Sequence, residues 1–152
     1  MNRSQTPYDR RMGPQDINRQ SLQGLHIIVV DADEDARILL ETVLTYAGAL
    51  VTLAASAEAA LDSIARVVPE IVVCALNLAS PRDGAWFLGR LRGLPAGEGG
   101  TRPVIALTNP RDSESAASHP HPGFQAYLAK PIDTWALCRL IAELADPRGK
   151  SR

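Results

Sequence analysis

Residues 25–53 read LHIIVVDADEDARILLETVLTYAGALVTL, and the reading of this stretch sets the architecture. It opens with a short run that is apolar apart from His26 and lacks polar alternation, the pattern of a strand buried on both faces. The dense acidic run Asp31-Ala32-Asp33-Glu34-Asp35 follows at a strand-to-helix turn. Beyond it Leu40, Val43, Leu44 and Ala47 recur at i, i+3, i+4 and i+7, the apolar stripe of an amphipathic helix. A second apolar run, ALVTL at 49–53, then begins. Strand, helix and strand in this order form a crossover unit, which parallel pairing requires.

The alternation continues outward from there. Strands are predicted at 25–30, 49–53, 71–75 (IVVCA), 103–107 (PVIAL) and 125–128 (QAYL). Helical stripes fall at Leu61, Ile64, Ala65 and Val68, and again at Leu137, Leu140, Ile141 and Leu144, with Phe87, Leu88, Leu91 and Leu94 giving the third helix a looser one. The segment 111–118 has only Ala116 and Ala117 as apolar residues and runs into His119-Pro120-His121-Pro122-Gly123. A fourth helix there has little to bury and is stopped by proline, so it is predicted to be short and the most mobile element. Five strands alternating with five helices make an α/β chain, a parallel sheet with helices on both faces. Right-handed crossovers place the functional crevice at the carboxyl ends of the strands.

Composition narrows the function classes. The chain has 152 residues, a length for one domain; 45% are hydrophobic and 22% charged, with a formal net charge of −1. That balance excludes a strongly basic nucleic-acid footprint. No segment has the run of about 20 apolar residues that a spanning helix needs, and the N-terminus lacks the apolar stretch of a signal peptide, so a cytoplasmic protein is expected. Cys74 and Cys138 are too few for a disulfide framework and read as buried hydrophobes in a reducing compartment. Residues 1–22, with Arg3, Arg10, Arg11 and Arg19 set among Pro7, Gly13 and Pro14, read as a mobile polar leader. The folded domain is expected over 23–146 and a short tail over 147–152, leaving no room for an output domain.

The residues just past each strand are where chemistry is sought. After the first strand stands Asp31; Asp33, Glu34 and Asp35 are explained by capping and by the helix dipole. After the third the edge position is Ala75, followed by Leu76-Asn77-Leu78 and the loop Ala79-Ser80-Pro81-Arg82-Asp83-Gly84. Thr108-Asn109-Pro110 follows the fourth strand and Lys130-Pro131 the fifth. Of 16 basic residues only Lys130 and Lys150 are lysines, so Lys130 is the lone lysine of the predicted fold. A carboxylate, a hydroxyl and an ammonium converge on one edge, a plausible anion site whose centre is an alanine. No Asp or Glu lies between Glu70 and Asp83; Glu70 precedes the strand at its opposite end, and Asp83 caps the third helix.

Other features have structural readings. The glycine-rich stretch 92–102 is expected to be a flexible connector, because no lysine follows it and it opens no helix. His119 and His121 lack further ligands and read as a solvated turn. The first strand carries no Gly-rich dinucleotide turn, and no cofactor is expected.

Residues 25–145 resemble a receiver domain of the two-component response-regulator family. The resemblance is strongest in IIVVDADEDARILLETVLTYAGALVTLAASAEAAL and GFQAYLAKPIDTWAL. It implies a flavodoxin-like receiver fold, a doubly wound five-stranded parallel sheet of order 2-1-3-4-5. It also implies that Asp31 matches the first member of an acidic pair, Thr108 the switch hydroxyl, Tyr127 the switch aromatic, and Lys130, followed by Pro131, the catalytic lysine. In the family a magnesium-assisted transfer moves a phosphoryl group from a partner histidine to an aspartate after strand three.

This chain departs from that pattern where the chemistry is done: the second acidic position is Ala32, and the acceptor position is Ala75. Ala75 carries no nucleophile, so phosphorylation at the usual place is excluded. Magnesium needs oxygen ligands, and with only Asp31, a weak candidate, and backbone carbonyls such as that of Asn77 remaining, no tight metal site is expected. Lys130 is expected to pair with Asp31 or Asp33, locking the degenerate site. Tyr127 and Trp135, the latter read as exposed, would mark an interaction face built from the fourth helix, fifth strand and terminal helix. The expected function is a stand-alone atypical receiver acting by protein–protein contact, not as an enzyme. Its partner is expected to be a histidine kinase or a downstream regulator, or a second copy in a homodimer through that face, with no direct nucleic acid or membrane. Two alternatives remain: a phosphorylatable receiver whose acceptor was substituted, against which Ala32 speaks, and a flavodoxin-like ligand-binding protein.

Overall fold

The computed structural model describes residues 21–109 and 123–145. The elements are β1 (His26–Val30), α1 (Glu34–Tyr46), β2 (Leu50–Ala54), α2 (Ala57–Arg66), β3 (Ile71–Ala75), α3 (Gly84–Arg92), β4 (Val104–Thr108), β5 (Ala126–Ala129) and α4 (Thr134–Leu144), with a short 3-10 turn at Ala96–Glu98. The strands form one parallel sheet of order β2-β1-β3-β4-β5, the arrangement the resemblance implies. Among the described residues there are four α-helices; the segment 111–118, His119 and His121 lie outside them, as do most of the leader and the tail. No helix among the described residues is long and apolar enough to cross a membrane.

Burial follows strand position. Every residue of β3 and β4 is buried, as are Ile27 through Val30 of β1, which explains their unbroken apolar runs. The edge strands β2 and β5 are only partly covered. Helix α1 packs beside α4, and α2 beside α3, so helices cover both faces. Each starts on an oxygen that satisfies an otherwise unpaired backbone N–H: Asp33 accepts from Asp35 N, Ser56 from Ala59 N, Asp83 from Trp86 N and Asp133 from Ala136 N. The first strand and helix are thereby aimed so that the β1–α1 turn lies at the carboxyl edge.

Several boundaries differ from the sequence reading. The edge strands and β4 each begin and end one residue later than predicted; Ala49 still belongs to the turn after α1, its N–H donating to the Leu44 carbonyl, whereas Pro103 and Gln125 flank their strands and each already bonds across the sheet. Leu22, assigned to the leader, is 1% exposed; its N–H bonds the carbonyl of Ala47, and its side chain joins the core. In α2 the buried positions are Ala57, Ala60 and Ile64, while Ala65 is exposed and Val68 falls beyond the helix end. Small alanines let α2 lie close to the sheet, which the stripe of large residues concealed.

The glycine-rich connector is built rather than loose. Arg92 donates to the carbonyl oxygens of Gly100 (3.0 Å), Arg102 (2.8 Å) and Gly123, and to Oε1 of Gln125. Gly99 adopts φ of 109°, and a Cβ on Gly100 would lie 1.9 Å from the Leu94 carbonyl oxygen, so this turn admits only glycine at both places. Sequence composition showed the glycines; only the folded chain shows the arginine that they surround.

Candidate functional site

The carboxyl edge is assembled from the ends of four strands. Asp31 follows β1 and extends the sheet by one bond, its N–H donating to the carbonyl of Ala54 at 3.0 Å. That places its carboxylate under the crevice, with only 3% of the side chain exposed. A buried carboxylate must be compensated, and three groups serve the residue. The Lys130 ammonium donates to Oδ2 at 2.8 Å, the Asp33 N–H donates to Oδ1 at 3.0 Å, and Arg37 Nη1 donates to the backbone carbonyl at 2.7 Å. Both oxygens of the carboxylate are therefore already engaged.

Lys130 reaches this position because β5 ends one residue earlier and its own N–H is held by the Thr108 carbonyl at 2.7 Å. Its peptide to Pro131 is cis. Of the two carboxylates expected to take it, Asp31 does so. Asp33 is exposed and spends an oxygen on the cap of α1. The sequence reading missed Arg37; its signal is a basic residue in the early part of α1, close behind the acidic turn.

At the centre of the edge stands Ala75, the last residue of β3, 2% exposed and in register with Leu107. Its methyl group offers neither nucleophile nor ligand. Ala32 is exposed in the β1–α1 turn and offers none either. The loop after β3 folds back tightly: Gly84 N–H donates to the Leu76 carbonyl at 3.0 Å, and a Cβ on Gly84 would lie 2.7 Å from Leu76 Cα. Asp83 caps α3, with Trp86 N–H donating to Oδ1 at 3.0 Å. Glu70 sits at the amino end of the sheet, where Oε1 accepts from His26 N–H. The two carboxylates that flank β3 in sequence are thus used elsewhere.

Thr108 ends β4, one residue inside the strand rather than after it, and is 2% exposed. Its Oγ1 lies 3.5 Å from the Leu128 carbonyl, at the outer limit of a hydrogen bond. Cys74 neighbours the site, but burial first, then the charges of Asp31 and Asp83, push its thiol well above the ordinary range. A thiol held protonated is a poor nucleophile. Among the described residues, no three His, Cys, Asp or Glu side chains converge as a metal set.

Tyr127 on β5 is half-buried, its ring edge-on to Phe124 at 5.6 Å between centroids. Trp135, read as exposed, is half-buried as well, with the Arg139 guanidinium 5.0 Å from its ring centroid. One helical turn separates the two residues, so the arginine covers the indole.

Comparison with known proteins agrees with this geometry. The family model for the response regulator receiver domain matches residues 27–142. An uncharacterised 14.6 kDa protein of Leptolyngbya boryana is 41% identical over 125 residues, covering 82% of this chain and 92% of its own. The sensory/regulatory protein RpfC of Xanthomonas campestris is 28% identical over 128 residues; 84% of this chain matches only 18% of that longer protein. A crystal structure from Chloroflexus aurantiacus, assigned to the response regulators, superposes with a TM-score of 0.73 at 30% identity, covering 82% of this chain and 99% of the other. The sheet order, the edge residues Asp31, Thr108 and Lys130, and a family match spanning most of the chain lead to one conclusion: the protein belongs to the response regulator receiver domain family of two-component signalling.

Proposed function

We propose that this receiver works by protein contact alone, without aspartyl phosphorylation. The observation that carries the reading is the pairing of a methyl group at the end of β3, Ala75, with a Lys130 ammonium already bound to Asp31. Acceptor chemistry needs an oxygen nucleophile at the first position and a cation free to meet phosphoryl oxygens at the second. Neither is present at this edge.

Magnesium does not fit the donor set. Among the described residues Asp31 is the one buried carboxylate, its two oxygens accept from Lys130 and Asp33, and the side chains of Ala32 and Ala75 supply no ligand. A hard cation that keeps octahedral oxygen coordination would have to displace the ammonium to bind. Binding is expected to be weak or absent, and no step of the function passes through it.

Thr108 and Tyr127 remain as the parts of a switch without its chemical trigger. Signalling then rests on a face of β5 and α4 that presents Tyr127 and the Arg139-covered Trp135. A histidine kinase or downstream regulator is the partner such a face would serve, in the cytoplasm, and the likeness to a segment of a sensory/regulatory protein supports that company. A homodimer through the same face is the other assembly it would build.

The test is incubation with acetyl phosphate and magnesium, read by intact mass. No phosphoryl adduct is expected; a stoichiometric one on the native protein overturns the reading.

A further inference from the structure

On the opposite side of the sheet from α4, three residues form a ridge along α3. Arg82 precedes the cap, and Trp86 and Arg90 follow at steps of four, so all lie on one side of the helix. The guanidinium carbons of Arg82 and Arg90 each stand 5.3 Å from the centroid of the Trp86 ring, within cation–π range. The indole is half-buried against the core, while both arginines are exposed. Ring and cations are therefore ordered before any partner arrives.

The charge of this ridge is incompletely met. Arg82 pairs with Glu58 of α2, but both side chains are about half exposed, at 53% and 48%, and such a pair holds little energy. Arg90 has no carboxylate within ion-pair distance among the described residues. Two guanidinium groups held around one ring repel each other, and an incoming carboxylate relieves that repulsion. Guanidinium donates to carboxylates in a two-pronged geometry, and Trp and Arg are both enriched among interface hot spots. Because stacking has already fixed the side chains, little rotamer freedom is left to lose on binding.

We propose that the Arg82–Trp86–Arg90 ridge is a docking surface for a short acidic segment of a partner protein, carboxylates on the two arginines and an apolar side chain on the indole. A nucleic acid fits less well. Glu58 stands beside Arg82, and Asp33, Glu34 and Asp35 lie exposed in the turn after β1, the neighbour of β3, so a continuous polyphosphate would meet negative charge on that flank. A second copy offering its own Asp33–Asp35 turn is the competing acidic occupant, which a measurement of self-association separates. The surface is independent of the acceptor chemistry and would serve a phosphorylatable receiver equally.

Trp86 and Trp135 are the two tryptophans, so a Trp135→Phe protein reports Trp86 alone by fluorescence. The probe is a capped peptide of alternating Glu and Leu. Its addition is expected to change Trp86 emission saturably, more weakly as salt rises. Arg90→Gln should weaken binding about tenfold, Arg82→Gln with Arg90→Gln should abolish it, and Arg90→Lys should fall between. Circular dichroism melts of each variant confirm that the fold persists, since these side chains lie on the surface. Failure of the peptide to bind, or equal binding by the doubly substituted protein, overturns the proposal. Tighter binding of a single-stranded oligonucleotide of equal charge overturns it in favour of nucleic acid. Self-association that Arg90→Gln abolishes overturns it in favour of a second copy.

Discussion

Lys130 and Asp31 lie 99 positions apart in the chain and meet at 2.8 Å. The contact joins the end of β5 to the end of β1 across the two strands between them, β3 and β4. Asp31 is the one buried carboxylate among the described residues, and this ammonium, with the Asp33 N–H, makes its burial tolerable.

Lys130→Met removes that compensation and leaves the Asp31 carboxylate with only the Asp33 N–H. Urea denaturation should show a loss of about 2–3 kcal/mol, below the full value for a buried pair because Lys130 is 23% exposed. Asp31→Asn should cost about 1 kcal/mol, since the freed ammonium can turn toward water. The double variant should be more stable than Lys130→Met alone. A Lys130→Met midpoint equal to that of the native protein would mean the pair holds nothing.

Returning the two missing carboxylates should return the chemistry. Ala32→Asp with Ala75→Asp is expected to acquire a phosphoryl adduct from acetyl phosphate, and its melting temperature should rise when magnesium is added, by binding linkage to the folded state. The native protein should melt at the same temperature with and without magnesium. A magnesium-dependent shift of the native protein would contradict the account of its donor set.

Leu22 belongs to the core although it precedes the first strand. Leu22→Ala should destabilise the fold by about 2–4 kcal/mol, as truncation of a fully buried leucine does. A change under about 0.5 kcal/mol, the range of surface substitutions, would return Leu22 to the leader.

Neither thiol should react in the folded protein. Burial pushes Cys138 up to about 11 and Cys74 further still. Iodoacetamide near neutral pH should leave both untouched in native protein and modify both in urea. The folded state keeps protons that the unfolded chain releases, so their contribution to stability falls as pH rises from the ordinary thiol value toward 11. The urea midpoint should decline across that window, less steeply in Cys138→Ala; rapid native alkylation would show the thiols exposed.

Much of the molecule was legible beforehand where side-chain pattern and burial coincide. Central strand β3 was read at its true bounds, because both its faces are covered and every residue is apolar. Strands β2, β4 and β5 slipped by one, half-exposed and fully buried alike, since an apolar run marks a strand's presence but not where its ladder of hydrogen bonds starts and stops. The α2 stripe misled because its closest contacts use Ala57 and Ala60, residues too small to mark a face by hydrophobicity. Likewise the glycines at 99 and 100 looked like slack, whereas they make room for a turn tied by Arg92.

What the sequence by itself determined is the chemistry missing from the carboxyl edge. A methyl group cannot serve as nucleophile or ligand wherever it lies, so the sequence alone shows that Ala75, where the resemblance puts the acceptor, and Ala32, where it puts the second acid, carry no such group. The alternation of buried strands and helices likewise dictates a parallel sheet, since crossovers are the only connection that allows it. Only the tertiary structure decided which carboxylate Lys130 takes, because that depends on Asp31 ending a buried strand while Asp33 is drawn into the cap of α1. It alone also brought Arg82 and Arg90 onto the ring of Trp86, a relation set by rotamers and packing that residue spacing permits but does not specify.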